Sequence, residues 1–256
     1  MHVRARLVAP PLIALGVALA ACGDDERSSS EQDRTVTVFA AASLIAAFTE
    51  MGDAFMVEYP DAEVVFNFAA SSELVTQIGE GAPADVYASA DQSNMAELVD
   101  AAGNTTEPVV FARNRLEIIV GPGNPTGITG VADLGDQDLI VVTCAPEVPC
   151  GTYASVVFAN AEVTVTPKSL EENVKAVVSK VTLGEADAGI VYRTDVIAAG
   201  PDAAGVAIPN DINVVAEYPL AVTSEATNPD GAQAYIDFVL SEQGQAILES
   251  YGFLAP

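Results

Sequence analysis

Histidine is almost absent from the sequence, since the only one is His2. That scarcity argues against Ser-His-Asp and Cys-His nucleophilic sites, the usual imidazole general base and the commonest ligand of zinc and copper. The G-x-S-x-G, P-loop and G-x-G-x-x-G motifs are missing too. Carboxylate pairs or a lysine remain as catalytic groups, but no segment brings them together at a suggestive spacing. We therefore expect no enzyme, no directly coordinated metal and no cofactor.

Basic residues are scarce as well, because ten lysines and arginines stand against 36 aspartates and glutamates, for a net charge of −26. Nucleic acid is therefore excluded as a partner, since its binding depends on neutralising phosphates with lysine and arginine. Half of the residues are hydrophobic, which argues for a substantial core and against a disordered chain.

The apolar run near the N-terminus is too short to form a transmembrane helix. Two arginines precede an apolar run over 7–20, whereas about 20 residues are needed to cross a bilayer. This pattern predicts a signal peptide over residues 1–21. The run ends in Leu-Ala-Ala-Cys, which resembles a bacterial lipoprotein processing box and makes Cys22 the predicted lipidation site; an incidental cysteine after an ordinary signal peptide is the alternative. Residues 22–34 predict a flexible tether.

These features predict an extracytoplasmic protein, anchored to the outer face of the cell membrane through lipid alone. In an exported chain the two remaining cysteines, Cys144 and Cys150, are expected to form a disulfide. Two free thiols or a soft-metal site are the alternatives. A loop this short would add only about 2 kcal/mol of stability, so the bond would mainly hold the loop in shape.

Short β-branched runs alternate with helical stretches along the rest of the chain, which predicts an α/β fold with largely parallel sheets. After Ser43, a suitable helix N-cap, apolar residues recur at helical spacing from Leu44 to Tyr59. Strands are predicted at 35–39, 63–68, 85–88, 116–120, 139–142, 188–191 and 218–222. Helices are predicted from 43 onward and at 72–79, 92–101, 153–160, 172–183, 229–240 and 241–251.

The chain also divides into two α/β units. The glycine- and proline-rich stretch 121–125 is a candidate boundary between them, and we expect the C-terminal helices to return to the first unit. The prediction is a first lobe formed by 35–117 plus 223–256 and a second lobe formed by 118–222.

Two segments of the sequence show the same predicted pattern, in which a strand is followed by a turn of small residues and by a serine at the start of a helix. They are Phe39 to Leu44 and Phe68 to Leu74. In parallel α/β sheets such turns lie at the carboxyl ends of the strands, where ligands collect, and the free N–H groups of the helix start attract anions. The two serines therefore indicate an anion site, while simple helix capping is the alternative.

Several blocks of sequence resemble the molybdate-binding proteins of bacterial ABC transporters and follow one another in the same order. They are VFAAASL (38–44), FAASSEL (68–74), GAPADVYASAD (81–91), VPCGTYA (148–154), AGIVYRTD (188–195), YPLAV (218–222) and YGF (251–253). The resemblance implies a two-lobed, type II periplasmic-binding-protein fold, each lobe a mostly parallel sheet flanked by helices. It also implies a monomer that captures molybdate, and tungstate as well, for uptake through an ABC transporter permease.

The same resemblance implies a set of neutral donors around the oxyanion. Ser43 and Ser71 would supply hydroxyl and backbone donors, Cys150 and Val174 backbone donors, and Tyr192 a phenolic donor. Taken singly, these residues also fit structural roles: helix caps, a disulfide, a core valine and a packed aromatic ring.

Two positions depart from the family pattern or test it. The family commonly has a small residue where Cys150 stands, but only its backbone N–H is required there. Glu73 follows Ser71 by two residues and would repel a dianion if it faced the site, so we expect it to point to solvent.

The alternative functions are a sulfate or other small-anion binding protein of the same fold, a histidine-free hydrolase and a surface lipoprotein.

Overall fold

The computed structural model describes residues 34–256. The predicted signal peptide, the lipidation site Cys22 and all of the predicted tether except Arg34 lie outside the described residues.

Nine strands and eight α-helices alternate along the described part of the chain. The strands are β1 (Thr35–Ala41), β2 (Glu63–Ala69), β3 (Val86–Ala88), β4 (Val109–Val120), β5 (Val141–Cys144), β6 (Ser169–Glu171), β7 (Ala188–Tyr192), β8 (Ala204–Ala207) and β9 (Val215–Val222). The helices are α1 (Ile45–Glu58), α2 (Ser71–Gly79), α3 (Gln92–Asp100), α4 (Pro149–Asn160), α5 (Val174–Thr182), α6 (Arg193–Ala199), α7 (Pro229–Leu240) and α8 (Glu242–Ser250). Each predicted strand and helix is present, which confirms the α/β class, whereas β6, β8, α6 and the first half of β4 were not predicted.

The strands follow the order β2-β1-β3-β9-β4-β7-β5-β6, with β8 also paired to β4. On one side β1 is parallel to β2 and β3. On the other side β5 is parallel to β6 and β7. Because helices connect these parallel strands, their carboxyl ends meet at one edge of each sheet, and the turns into the following helices gather there.

The long strand β4 joins the two halves of this architecture. Its first part, 109–115, is antiparallel to β9, whereas its second part, 116–120, is antiparallel to β7 and β8. The change of partner occurs between Arg115 and Leu116, close to the predicted boundary at 117/118. The stretch 121–125, our candidate boundary, instead forms a turn at the end of β4, where the N–H of Asn124 donates to the carbonyl of Gly121.

Strand β9 belongs to a different sheet from the one that its sequence position suggests. The predicted division assigns it to the second lobe, but it is hydrogen-bonded to β3 and to the first part of β4. Alternation of apolar residues cannot reveal which strand is the neighbour. We therefore propose lobe I as 34–115 plus 215–256 and lobe II as 116–214.

Aromatic side chains pack the C-terminal helices against the first lobe. Phe55 on α1 meets Tyr235 on α7 edge to face, with ring centroids 5.4 Å apart. Phe48, two helical turns earlier on the same face of α1, packs against Phe111 of β4 with ring centroids 5.6 Å apart. The apolar face predicted for α1 is therefore the face that closes this core.

Candidate functional site

A small cavity lies where the carboxyl ends of β1 and β2 face the starts of α4 and α5, so both lobes contribute to its wall. The space between its wall atoms is about 210 Å³, with the solvent space at its mouth included. The cavity is lined by Ala41, Ala42, Ser43, Ala69, Ala70, Ser71, Ala90, Val148, Pro149, Cys150, Asn173, Val174 and Tyr192. All five site residues predicted from the sequence are in this set, and none of the lining residues carries a charge.

Four helical segments begin at the wall of this cavity. They are α2, α4, α5 and the 3-10 turn Ala42–Leu44 that leads into α1. The first N–H groups of a helix have no acceptor within it, and the aligned peptide dipoles make that end partly positive. The alanines at the ends of β1 and β2 keep the turns free of bulky side chains. An anion here would meet backbone donors from several directions.

The hydroxyl of Ser43 forms a hydrogen bond with a buried tyrosine that does not line the cavity. Its Oγ atom lies 3.1 Å from Oη of Tyr218 on β9. The prediction that Ser43 caps a helix is wrong, because the 3-10 turn already begins at Ala42 and no side-chain cap is formed. Ser43 instead lines the cavity.

Ser71 is the first residue of α2 and is fully buried. Its Oγ accepts a hydrogen bond of 3.0 Å from the N–H of Ala90, and its carbonyl accepts one of 2.9 Å from Oη of Tyr87. Since a serine hydroxyl carries one proton and two lone pairs, the contact with Ala90 leaves that proton available to an acceptor in the cavity.

The start of α4 presents the N–H of Cys150. Pro149 at the first helical position has no N–H, and the N–H groups of Gly151 and Thr152 both donate to the carbonyl of Val148. Cys150 therefore carries the first backbone donor of the helix without an intrahelical acceptor.

Two features hold this donor in place. Cys150 forms a disulfide with Cys144 at the end of β5, with Cα atoms 5.7 Å apart. A Cβ atom at Gly151 would lie 2.0 Å from the carbonyl oxygen of Ala145. The helix can approach the strand end this closely only because residue 151 is glycine.

The start of α5 is shaped by Asn173, a lining residue that we did not predict. Its Oδ1 accepts a 3.1 Å hydrogen bond from the N–H of Ala176, which makes it the N-cap. This cap leaves the N–H of Val174 without an intrahelical acceptor. Asparagine just before an apolar helical run is a recognisable capping signal, so sequence reasoning could have found it.

Lys175, which lies beside the cavity, is neutralised. Nζ of Lys175 lies 2.6 Å from Oδ1 of Asp195, whose other oxygen accepts a 3.2 Å hydrogen bond from the N–H of Tyr192. Burial raises the pKa of Asp195, while Lys175 and the N–H of Tyr192 lower it. The pair ties α5 to the first turn of α6, which follows β7 directly, and adds little net charge to the site.

Tyr192 brings an unpaired polar group to the cavity. The residue is 1% exposed, and its hydroxyl has no hydrogen-bond partner among the described residues. Burial raises its pKa well above the ordinary value, so the phenol stays protonated and can donate. An unpaired buried hydroxyl costs about 1 to 3 kcal/mol, and such an exception in a cavity wall points to a ligand.

Beside the uncharged cavity lies a negatively charged surface. A wider groove of about 1110 Å³ shares Ala70 and Val148 with the cavity wall. Five carboxylates line it: Glu73, Asp91, Glu97, Glu147 and Glu172. Glu73 is exposed and accepts a 3.0 Å hydrogen bond from Gln77, so it points to solvent, as predicted.

Within residues 34–256, no helix is both long enough and apolar enough to cross a bilayer. The same residues contain no cluster of three or more histidine, cysteine or acidic side chains suited to a metal ion.

Residues 36–254 match the family described as bacterial extracellular solute-binding proteins. The chain is 38% identical over 243 residues to the molybdate-binding protein of Mycobacterium bovis, covering 93% of each chain. Among solved structures, it resembles the substrate-binding domain of a putative molybdenum ABC transporter from Clostridium difficile, with 27% identity, a TM-score of 0.65 and coverage of 87% and 99%. The sulfate-binding protein of Mycobacterium tuberculosis, at 20% identity, a TM-score of 0.78 and 86% coverage of each chain, shares the two-lobed fold.

Proposed function

Because the chain belongs to the bacterial extracellular solute-binding proteins, we propose that it captures molybdate, and tungstate as well, outside the cytoplasm for uptake by an ABC transporter. The donors are Ser43, Ser71, Cys150, Val174 and Tyr192. The observation that carries this proposal is the buried, unpaired hydroxyl of Tyr192, which shares one cavity with four helix starts. The 38% identity to a molybdate-binding protein supports the choice of anion.

Neutral donors are sufficient for tight binding. Three hydroxyls and the backbone N–H groups of four helix starts offer about seven hydrogen bonds, each worth roughly 1.5 to 3 kcal/mol with a charged ligand. The gross gain is on the order of 10 to 20 kcal/mol, from which the costs of association are subtracted. The remainder corresponds to micromolar to nanomolar dissociation constants, about −8 to −12 kcal/mol. No arginine in the cavity is needed.

The donors come from both lobes, so a bound anion would bridge them. Ser43 and Ser71 belong to the first lobe, whereas Cys150, Val174 and Tyr192 belong to the second. A ligand that binds only when both sets are in reach stabilises the closed arrangement of the lobes.

We propose that the permease recognises this closed form of a monomer held at the membrane by lipid on Cys22. Membrane association that persists in a Cys22→Ala variant would contradict the anchor.

The anion is identified by comparing molybdate, tungstate, sulfate and phosphate in thermal unfolding and calorimetry. Molybdate and tungstate are expected to raise the melting temperature most, because a ligand that binds only the folded state stabilises it. Hydrogen phosphate carries a proton that needs an acceptor, and it is expected to bind roughly tenfold or more weakly. A preference for phosphate would overturn the neutral-donor site. Tighter binding of sulfate would favour the sulfate alternative, and turnover of model esters without any anion response would favour a hydrolase.

Ionic strength gives a second, kinetic prediction. The acidic groove repels an approaching dianion, and raising NaCl from about 0.01 M to about 0.15 M shortens the Debye length from roughly 30 to 8 Å. Molybdate association should therefore accelerate, by about three- to tenfold, in stopped-flow measurements of tyrosine fluorescence. The Glu147→Gln/Glu172→Gln variant should show a smaller salt effect. Slower association at higher salt would mean that the groove does not control entry.

A further inference from the structure

Four side chains in the cavity wall are polar, and one of them has no role yet towards the anion. Ser43, Ser71 and Tyr192 carry the proposed hydroxyl donors. The fourth is Asn173, which directly precedes the backbone donor Val174 at the start of α5. Asn173 lines the cavity and not the neighbouring acidic groove.

The orientation of the Asn173 amide is fixed by the helix that it caps. Its Oδ1 accepts a 3.1 Å hydrogen bond from the N–H of Ala176. A backbone N–H can only donate, so the amide atom turned towards α5 is the oxygen and not the nitrogen. Because the two atoms lie on opposite sides of Cγ, Nδ2 is turned away from the body of the helix.

The Nδ2 group of Asn173 has both of its hydrogens available. Asn173 forms no second hydrogen bond within residues 34–256. The side chain is half-buried, and α5 lies against the 3-10 turn Ala42–Leu44 of the other lobe. An anion held between Ser43 of that turn and the N–H of Val174 would therefore lie beside an amide with two unused hydrogens.

We propose that Asn173 is a sixth donor residue, which binds the anion through Nδ2 and favours oxyanions that carry no proton. The inference rests on the proposed function and extends its set of donors. Since Oδ1 is occupied by the N–H of Ala176, the amide presents only hydrogens to the cavity. Hydrogen phosphate would bring its own hydrogen against them, whereas molybdate offers acceptors alone.

Serine and alanine at position 173 separate anion binding from helix capping. Serine caps a helix about as well as asparagine, whereas alanine does not. Molybdate affinity, measured by calorimetry, is expected to fall roughly tenfold or more in both variants, the value of one hydrogen bond to a charged ligand. Denaturant unfolding without ligand should give Asn173→Ser the midpoint of the wild type. Wild-type affinity in Asn173→Ser, with a loss only in Asn173→Ala, would mean that Asn173 is a cap alone and would overturn the inference.

Asn228→Ser is the matched control for this comparison. Asn228 is the N-cap of α7, and its side chain accepts from the N–H of Gly231, but it does not line the cavity. The same exchange of one capping residue for another should therefore leave the affinity for molybdate unchanged.

Aspartate at position 173 tests the chemistry of the amide. It keeps the cap and the size of the side chain but replaces the N–H₂ group by a carboxylate oxygen. Asn173→Asp is expected to bind molybdate more weakly than Asn173→Ser does. It should also lower the molybdate-to-phosphate affinity ratio, roughly tenfold, because hydrogen phosphate can donate its proton to the new carboxylate and molybdate cannot.

Ser93→Asp shows what an added negative charge does by itself. Ser93 lies in the first turn of α3 and lines the acidic groove, not the cavity. Repulsion from there acts on both dianions, so the ratio should equal that of the wild type. An unchanged ratio in Asn173→Asp would overturn the inference. A wild type that binds none of the oxyanions refutes the proposed function itself, whereas wild-type binding of molybdate that is retained in Asn173→Ser refutes only the role of Asn173.

Discussion

Tyr192→Phe is expected to weaken molybdate binding roughly 10- to 100-fold while leaving the ligand-free protein at least as stable as the wild type. The variant removes one hydrogen bond to a charged ligand, worth about 1.5 to 3 kcal/mol. The same hydroxyl is buried and unpaired among the described residues, so its removal relieves a desolvation cost in the free protein. Binding and stability should therefore move in opposite directions, which is unusual for a change at a buried position.

Calorimetry with molybdate and denaturant unfolding without ligand measure the two effects. Tyr235→Phe removes a second buried hydroxyl without a partner in the described part of the chain, but from the aromatic core beside Phe55. This control should leave the affinity for molybdate unchanged. Wild-type affinity in Tyr192→Phe would show that the phenol does not contact the anion, and the assignment of the cavity would lose its strongest support.

Gly151→Ala is expected to have the largest structural effect at the site. The new Cβ would lie 2.0 Å from the carbonyl oxygen of Ala145 and 2.6 Å from that of Cys144. Both neighbours are backbone atoms, so the start of α4 must move away from the end of β5. We expect a loss of at least about 1 to 3 kcal/mol in the free energy of unfolding, the usual range for overpacking.

The same shift should displace the N–H of Cys150 and weaken molybdate binding by more than about tenfold, the value of one misplaced donor to a charged ligand. Gly79→Ala is the matched control, because a Cβ at this helical position meets no atom within 4 Å. It should be neutral or slightly stabilising in denaturant unfolding. Full stability and full affinity in Gly151→Ala would mean that the helix start tolerates displacement and that its position does not control binding.

The elements of the fold follow from the local pattern of the sequence. The apolar spacing from Leu44 to Phe55 indicates α1, and the small residues before Ser43 and Ser71 indicate strand-to-helix turns. Short segments such as β6 and β8 were missed because three or four residues carry too little periodicity. The neighbours of β9 could not be predicted from the sequence for another reason. A strand inserted antiparallel between β3 and β4 has the same alternation as any other strand, and its neighbours depend on contacts distant in the chain.

Composition and local patterns by themselves determined which chemistry the chain excludes and its α/β class, whereas the five donors expected around an oxyanion came from the resemblance to molybdate-binding proteins. Tertiary structure alone decided that those donors line one cavity and that Tyr218 lies beside Ser43. The division has a physical origin. The tendency to start a helix or cap it depends on neighbours along the chain. By contrast, the hydroxyl of Ser43 has its hydrogen-bond partner in Tyr218, 175 positions away, which only folding brings within 3.1 Å.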